Sequence, residues 1–162
     1  MAKTANPIPP GFHTVTPYLT VRSATKAIEF YKKALGAEEI CVIPGPEGRT
    51  MHAEIKIGDS IIMLSDECAE YGALGPESRG GATSSLFLYF TNVDTAFDRA
   101  VKAGCTVKMP LQDQFWGDRF GTVIDPFGHV WSMATHIEDV NPEDMKKRHE
   151  EAVKQMATAR AK

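Results

Sequence analysis

Apolar residues recur along this chain with two periods, and the periods follow one another in the same order twice. Leu19 and Val21 alternate with Tyr18 and Thr20, the two-residue period of a half-buried strand. Ala27, Ile28, Tyr31 and Leu35 then recur at helical spacing. Ser23 is placed to cap that helix and Gly36 to end it. A strand at Ile40–Ile43 leads through a Pro- and Gly-rich turn into Met51–Ile57, which alternates strictly. Gly58-Asp59 then turns the chain into Ile61–Leu64, predicting a hairpin. After a glycine-rich stretch the pattern restarts with a strand at Leu86–Phe90 and a helix over Val93–Ala103, closed by Gly104. A short strand from Val107 and a polar loop over Gln112–Asp118 follow. The last hairpin pairs Phe120–Ile124 with His129–Ala134 across the turn at Asp125-Pro126-Phe127-Gly128.

The two runs superpose at a displacement of 69 residues: Leu19, Val21 and Ala27 fall on Leu88, Phe90 and Ala96, and Ile28-Glu29 on Phe97-Asp98. A unit repeated in this way cannot bury its apolar surface alone, so the pattern predicts two βαβββ modules. Around them the chain divides into an N-terminal arm (1–13), a first module (14–66), a linker loop (67–83), a second module (84–137) and a C-terminal helix (138–162). Pro7, Pro9 and Pro10 keep the arm extended. The last helix starts at Asn141-Pro142 with acids in its first turn. Met145, His149, Val153 and Met156 give it one apolar stripe, as for a helix lying on its own domain or on a partner chain.

Composition narrows the function classes. The 162 residues are 43% hydrophobic and 24% charged, which suits one soluble domain or two half-domains sharing a core. Lys+Arg 18 against Asp+Glu 21 leaves a net charge of -3, which speaks against a nucleic-acid partner. No apolar run approaches the ~20 residues that span a bilayer, and the first residues carry no apolar stretch of the secretory kind. Cys41, Cys68 and Cys105 are widely spaced and odd in number, so free thiols and a cytoplasmic setting are expected.

Three stretches carry a resemblance. Thr16–Val21 runs into Ala27–Ala37. Met51-His52-Ala53-Glu54 is followed by Ile57-Gly58-Asp59, and Phe115–Gly121 by Asp125–Trp131. Together they resemble the vicinal oxygen chelate superfamily, in its PhnB-like branch of glyoxalase/bleomycin-resistance proteins. That resemblance implies an α+β fold in which two βαβββ modules form a curved mixed sheet around a cavity with helices outside. It also implies a homodimer, with modules paired within or between chains. Many members hold a divalent metal through one residue on the first and one on the last strand of each module. The matching positions here are Thr16, Met63, Ser85 and Ser132. None is an anionic or imidazole ligand, so no metal is expected there and glyoxalase I activity is not.

Strand parity supplies other candidates. His52 and Glu54 stand on the side of Met51–Ile57 opposite the apolar set Met51, Ala53, Ile55 and Ile57, about 7 Å apart. They are the candidate acid–base pair, or the ligands of a relocated divalent metal. Tyr18, Phe87 and Tyr89 share parity with the superfamily ligand positions and should project into the cavity. Trp116, with Asp118 and Arg119, sits in a polar loop that can close over it. An aromatic and hydroxyl lining without a metal suits a small organic ligand. The expectation is therefore metal-independent binding of such a ligand, with a lyase or isomerase using His52/Glu54 or a relocated metal as the alternative.

Overall fold

A computed structural model describes residues 5–160; the first four residues of the arm and the last two of the chain lie outside it. In the first module β1 (Tyr18–Val21), α1 (Ala24–Leu35), β2 (Glu38–Pro44), β3 (Thr50–Ile57) and β4 (Ser60–Asp66) form a sheet of order β1-β4-β3-β2. A short helix, α2 (Pro76–Arg79), lies in the linker. The second module repeats the scheme with β5 (Ser85–Tyr89), α3 (Val93–Ala103), β6 (Thr106–Asp113), β7 (Asp118–Ile124) and β8 (Val130–His136), in the order β5-β8-β7-β6. In each sheet the first and last strands are parallel and the remaining pairs antiparallel. Helix α4 (Pro142–Arg160) follows.

One face of each sheet is covered by its helix. Ala53, Ile55, Ile57 and Leu64 meet the buried face of α1, formed by Ala24, Ala27, Ile28, Tyr31, Ala34 and Leu35. In the second module Val123, Trp131 and Met133 meet Val93, Ala96, Phe97 and Ala100 of α3. The helices pack on each other, so both modules contribute to one core. The tie between them is polar and buried. Asp125 accepts hydrogen bonds from Tyr31 Oη (2.8 Å), from Trp131 Nε1 (2.8 Å), and from the backbone N–H groups of Phe127 and His129.

Both β2 and β6 are edge strands containing a proline, and both are bulged. An edge tolerates Pro44 and Pro110 because the missing N–H breaks no interior ladder. These bulges explain two departures from the sequence pattern. Strand β6 extends to Asp113 through what reads as a polar loop. Met51, expected against the helix layer, is instead 60% exposed. The register shift beside Pro44 puts Thr50 in the interior, where Asp66 accepts its N–H at 2.8 Å. Helix α4 begins as predicted, with Asn141 Oδ1 accepting the Asp144 N–H. Only its first turns are held down, by Arg148 on Glu138 (2.6 and 2.7 Å), and Val153 and Met156 of its stripe stay exposed.

Candidate functional site

The face of each sheet away from its helix carries the candidate residues, in two clusters of different chemistry. On the first module β2, β3 and β4 align Cys41 opposite Glu54 and Glu54 opposite Met63, and β1 sets Tyr18 opposite Met63. His52 is two residues from Glu54, on the same side. Its Nε2 lies 3.3 Å from Glu54 Oε1, and its Nδ1 is 3.2 Å from the Tyr18 hydroxyl. The two candidate acid–base residues are therefore in direct contact, in a row with Tyr18. Cys41 completes the cluster, and the sequence pattern did not point to it. Its strand was legible, but its facing depends on a register shift between Glu39 and Cys41 that no periodicity shows. Burial first, and then the Glu54 carboxylate, push the Cys41 thiol pKa up.

On the second module an aromatic ladder covers the open face. Phe87 stacks on Phe120 at 5.4 Å with a 14° interplanar angle and lies 5.1 Å from Tyr89. Trp116 meets Phe120 edge-on at 5.9 Å, and Phe115 meets Trp116 the same way at 5.1 Å. Asp118 is buried beneath them. It accepts from Tyr89 Oη (3.0 Å), Trp116 Nε1 (3.0 Å) and His136 Nδ1 (2.8 Å). Burial works to raise the Asp118 pKa, but the hydrogen bonds from His136, Tyr89 and Trp116 outweigh it and hold it below the ordinary 3.8. The same contact, with Asp139 adding to it, raises His136.

Phe120 belongs to this ladder and was readable only as a strand residue; its parity with Asp118 is the signal that would have placed it. Arg119, by contrast, points to the helix side. Its guanidinium holds both Asp94 oxygens at 2.7–3.0 Å and Asp113 at 2.9 Å. Its charge thus fastens β6 and β7 to the start of α3, away from the face that Asp118 and Trp116 share.

Two hollows flank these clusters. One of about 470 Å³ is lined by Tyr18, Thr20, Gly75, Arg79, Ser84 and His129. Another of about 400 Å³ is lined by Ser85, Lys108, Met109, Thr122 and Ser132. The four superfamily metal positions offer no donor set for a divalent ion. Thr16 spends its hydroxyl on the His13 carbonyl, Met63 is a thioether, and Ser85 and Ser132 are neutral hydroxyls.

Comparison with known proteins gives a consistent picture. Residues 11–133 match the family model described as Glyoxalase/Bleomycin resistance protein/Dioxygenase superfamily. The Mycobacterium tuberculosis protein Rv0887c is 41% identical over 134 residues, covering 81% of this chain and 79% of that protein. Among solved structures, PA1353 from Pseudomonas aeruginosa superposes with a TM-score of 0.62 at 26% identity, over 78% of this chain and 99% of its own. The PhnB protein from Bacillus cereus shares the fold at a TM-score of 0.59 and 20% identity, over 76% and 99%.

Proposed function

The chain belongs to the Glyoxalase/Bleomycin resistance protein/Dioxygenase superfamily, and from that premise we propose that it is a PhnB-like binding protein for a small, flat, amphipathic organic molecule. The observation that carries this reading is the aromatic ladder of the second module. Phe87 is 47% exposed and Tyr89 64%, beside Phe120 and Trp116, on the sheet face away from α3; α4 touches the ladder at Phe115, where His149 lies 5.7 Å away. Aromatic faces left open to water gain by covering a ring, since stacked or edge-on pairs contribute about 0.5–1.5 kcal/mol beyond area burial. The tyrosine hydroxyl and Asp118 supply the polar end. The hollow beside the ladder on the second sheet, lined by Ser85, Lys108, Met109, Thr122 and Ser132, is about 400 Å³, within the roughly 300–1,000 Å³ range of small-molecule sites. Binding on this face needs no metal ion: Ser85 and Ser132, two of the four superfamily metal positions, line the hollow as neutral hydroxyls.

The same exposure supports a homodimer. Tyr18 on the first module is 50% exposed, so among the described residues each module leaves aromatic side chains open on the sheet face away from its own helix. A two-fold pair laying the first module of one copy against the second module of the other would close both cavities at once. Sedimentation at twice the 17.8 kDa chain mass is expected; a monomer at all concentrations would contradict it. Three free cysteines, and no described helix long and apolar enough to cross a membrane, support a cytoplasmic setting.

The direct test is Trp116 fluorescence. The chain has two tryptophans, and Trp131 is fully buried against Asp125, so a ring landing on the open face quenches Trp116 selectively. Saturable quenching by at least one member of a fused-ring panel (naphthol, acridine, a flavone) is expected. Unchanged emission across the panel would overturn the reading.

A further inference from the structure

The cluster on the first module has a chemistry of its own. Cys41 Sγ, a His52 ring nitrogen and a Glu54 carboxylate oxygen all lie within 4.8 Å of one another, on two neighbouring strands and half-buried. A tetrahedral ion with bonds of about 2.0–2.3 Å keeps its donors about 3.3–3.8 Å apart. His52 Nε2 and Glu54 Oε1 are already 3.3 Å apart. The trio therefore meets that geometry with shifts of about 1 Å or less, within side-chain adjustment on a fixed sheet.

We propose that Cys41, His52 and Glu54 bind a zinc ion as a thiolate–imidazole–carboxylate site with its fourth position open to the face. Sulfur and nitrogen donors together select zinc over magnesium or calcium, which require cages of oxygen. The thiolate and the carboxylate neutralise the dication, Cys41 giving up its proton to solvent on ligation. The tautomer is set from behind: Tyr18 Oη lies 3.2 Å from Nδ1, so an Nδ1–H that donates to the hydroxyl leaves Nε2 free to ligate.

Cross-strand register makes the site particular to one module. Cys41, Glu54, Met63 and Tyr18 form one row across the first sheet, and the corresponding row of the second sheet is Met109, Thr122, Ser132 and Phe87. Only the first row offers a thiolate and a carboxylate. None of its three ligands is one of the superfamily positions Thr16, Met63, Ser85 and Ser132, although Met63 is the cross-strand neighbour of Glu54. It rests on the first module alone and goes beyond the ligand-binding reading, which rests on the second.

The test is cobalt and zinc titration of the full chain after chelator treatment. One equivalent of cobalt per chain is expected to give a thiolate-to-metal charge-transfer band and the intense visible bands of a tetrahedral site, and zinc should displace it. Tyr18→Phe should weaken zinc by about tenfold, the scale of a lost outer hydrogen bond, and Cys41→Ser, His52→Ala and Glu54→Gln by more. Circular dichroism establishes that each variant is folded. If one misfolds, the wild-type charge-transfer band still decides whether the thiolate ligates. Absence of that band, or zinc binding unchanged in folded ligand variants, would overturn the site. Trp116 quenching measured in the chelator-treated protein reads the second module separately, so failure of one proposal is not mistaken for failure of the other.

Discussion

At the residue scale, the buried carboxylate of Asp125 holds the modules together. Two of its donors, Tyr31 and Trp131, are fully buried side chains with no water to turn to if the acceptor is removed. Each buried donor left unpaired costs about 1–3 kcal/mol, so Asp125→Ala should lower the unfolding free energy by about 3 kcal/mol or more in urea denaturation. A loss below about 1 kcal/mol would show that Asp125 is only a turn residue, as it reads in the sequence. That reading missed its role because Tyr31 is 94 positions away and comes from the other module.

Asp118 and His136 give stability a pH signature. His136 is raised above its ordinary 6.5 by the hydrogen bonds to Asp118 and Asp139. Its contribution is therefore complete below about 6.5 and lost as pH rises through the raised folded value. Asp118 is held below 3.8, so its contribution is present above that value and lost as pH falls through the lower folded value. Melting temperatures should fall on both sides of this window, and Asp118→Asn should flatten both limbs. A variant profile parallel to the wild type would contradict the assignment.

At the scale of elements, the repeat extends to details that periodicity does not reveal. Ser23 sits at the start of α1 as predicted, but its side chain makes no cap bond. The Ala24 N–H is taken instead by Asp66 at the end of β4, and the Val93 N–H of α3 by Thr135 near the end of β8. Both pairs keep the 69-residue displacement (24 to 93, 66 to 135). The helices, central strands and hairpins were legible because each has one covered face and hence a clear period. Edge strands β2 and β6 were legible only in part, since bulges beside prolines reset their register. The shift across Pro110 hid the extent of β6, and a separate shift between Glu39 and Cys41, away from any proline, hid the facing of Cys41.

The loop carrying Trp116 depends on Gly117. Its φ is +96°, and a Cβ there would stand 2.1 Å from the Glu138 carbonyl oxygen. Gly117→Ala should cost about 1–3 kcal/mol. It should also shift Trp116 emission to the red as the bond to Asp118 loosens. Unchanged emission and stability would mean that the loop does not position the indole.

At the scale of the whole molecule, the chain is two similar modules with dissimilar open faces. The first displays a thiol, an imidazole and a carboxylate, and the second displays stacked rings over a buried aspartate. The repeat and the family resemblance made the paired modules legible. The division of chemistry between faces was not, because it depends on which rows align across four strands. Ligand binding on the second face is the central claim. The most direct measurement is the Trp116 fluorescence titration run in parallel on the wild type and on Phe87→Ala, which leaves the Trp116–Asp118 hydrogen bond in place. A saturable quench that weakens by about tenfold in the variant, equivalent to roughly 1.4 kcal/mol of lost ring contact, is the predicted result. Equal affinity in the two proteins, or no quench in either, would contradict it.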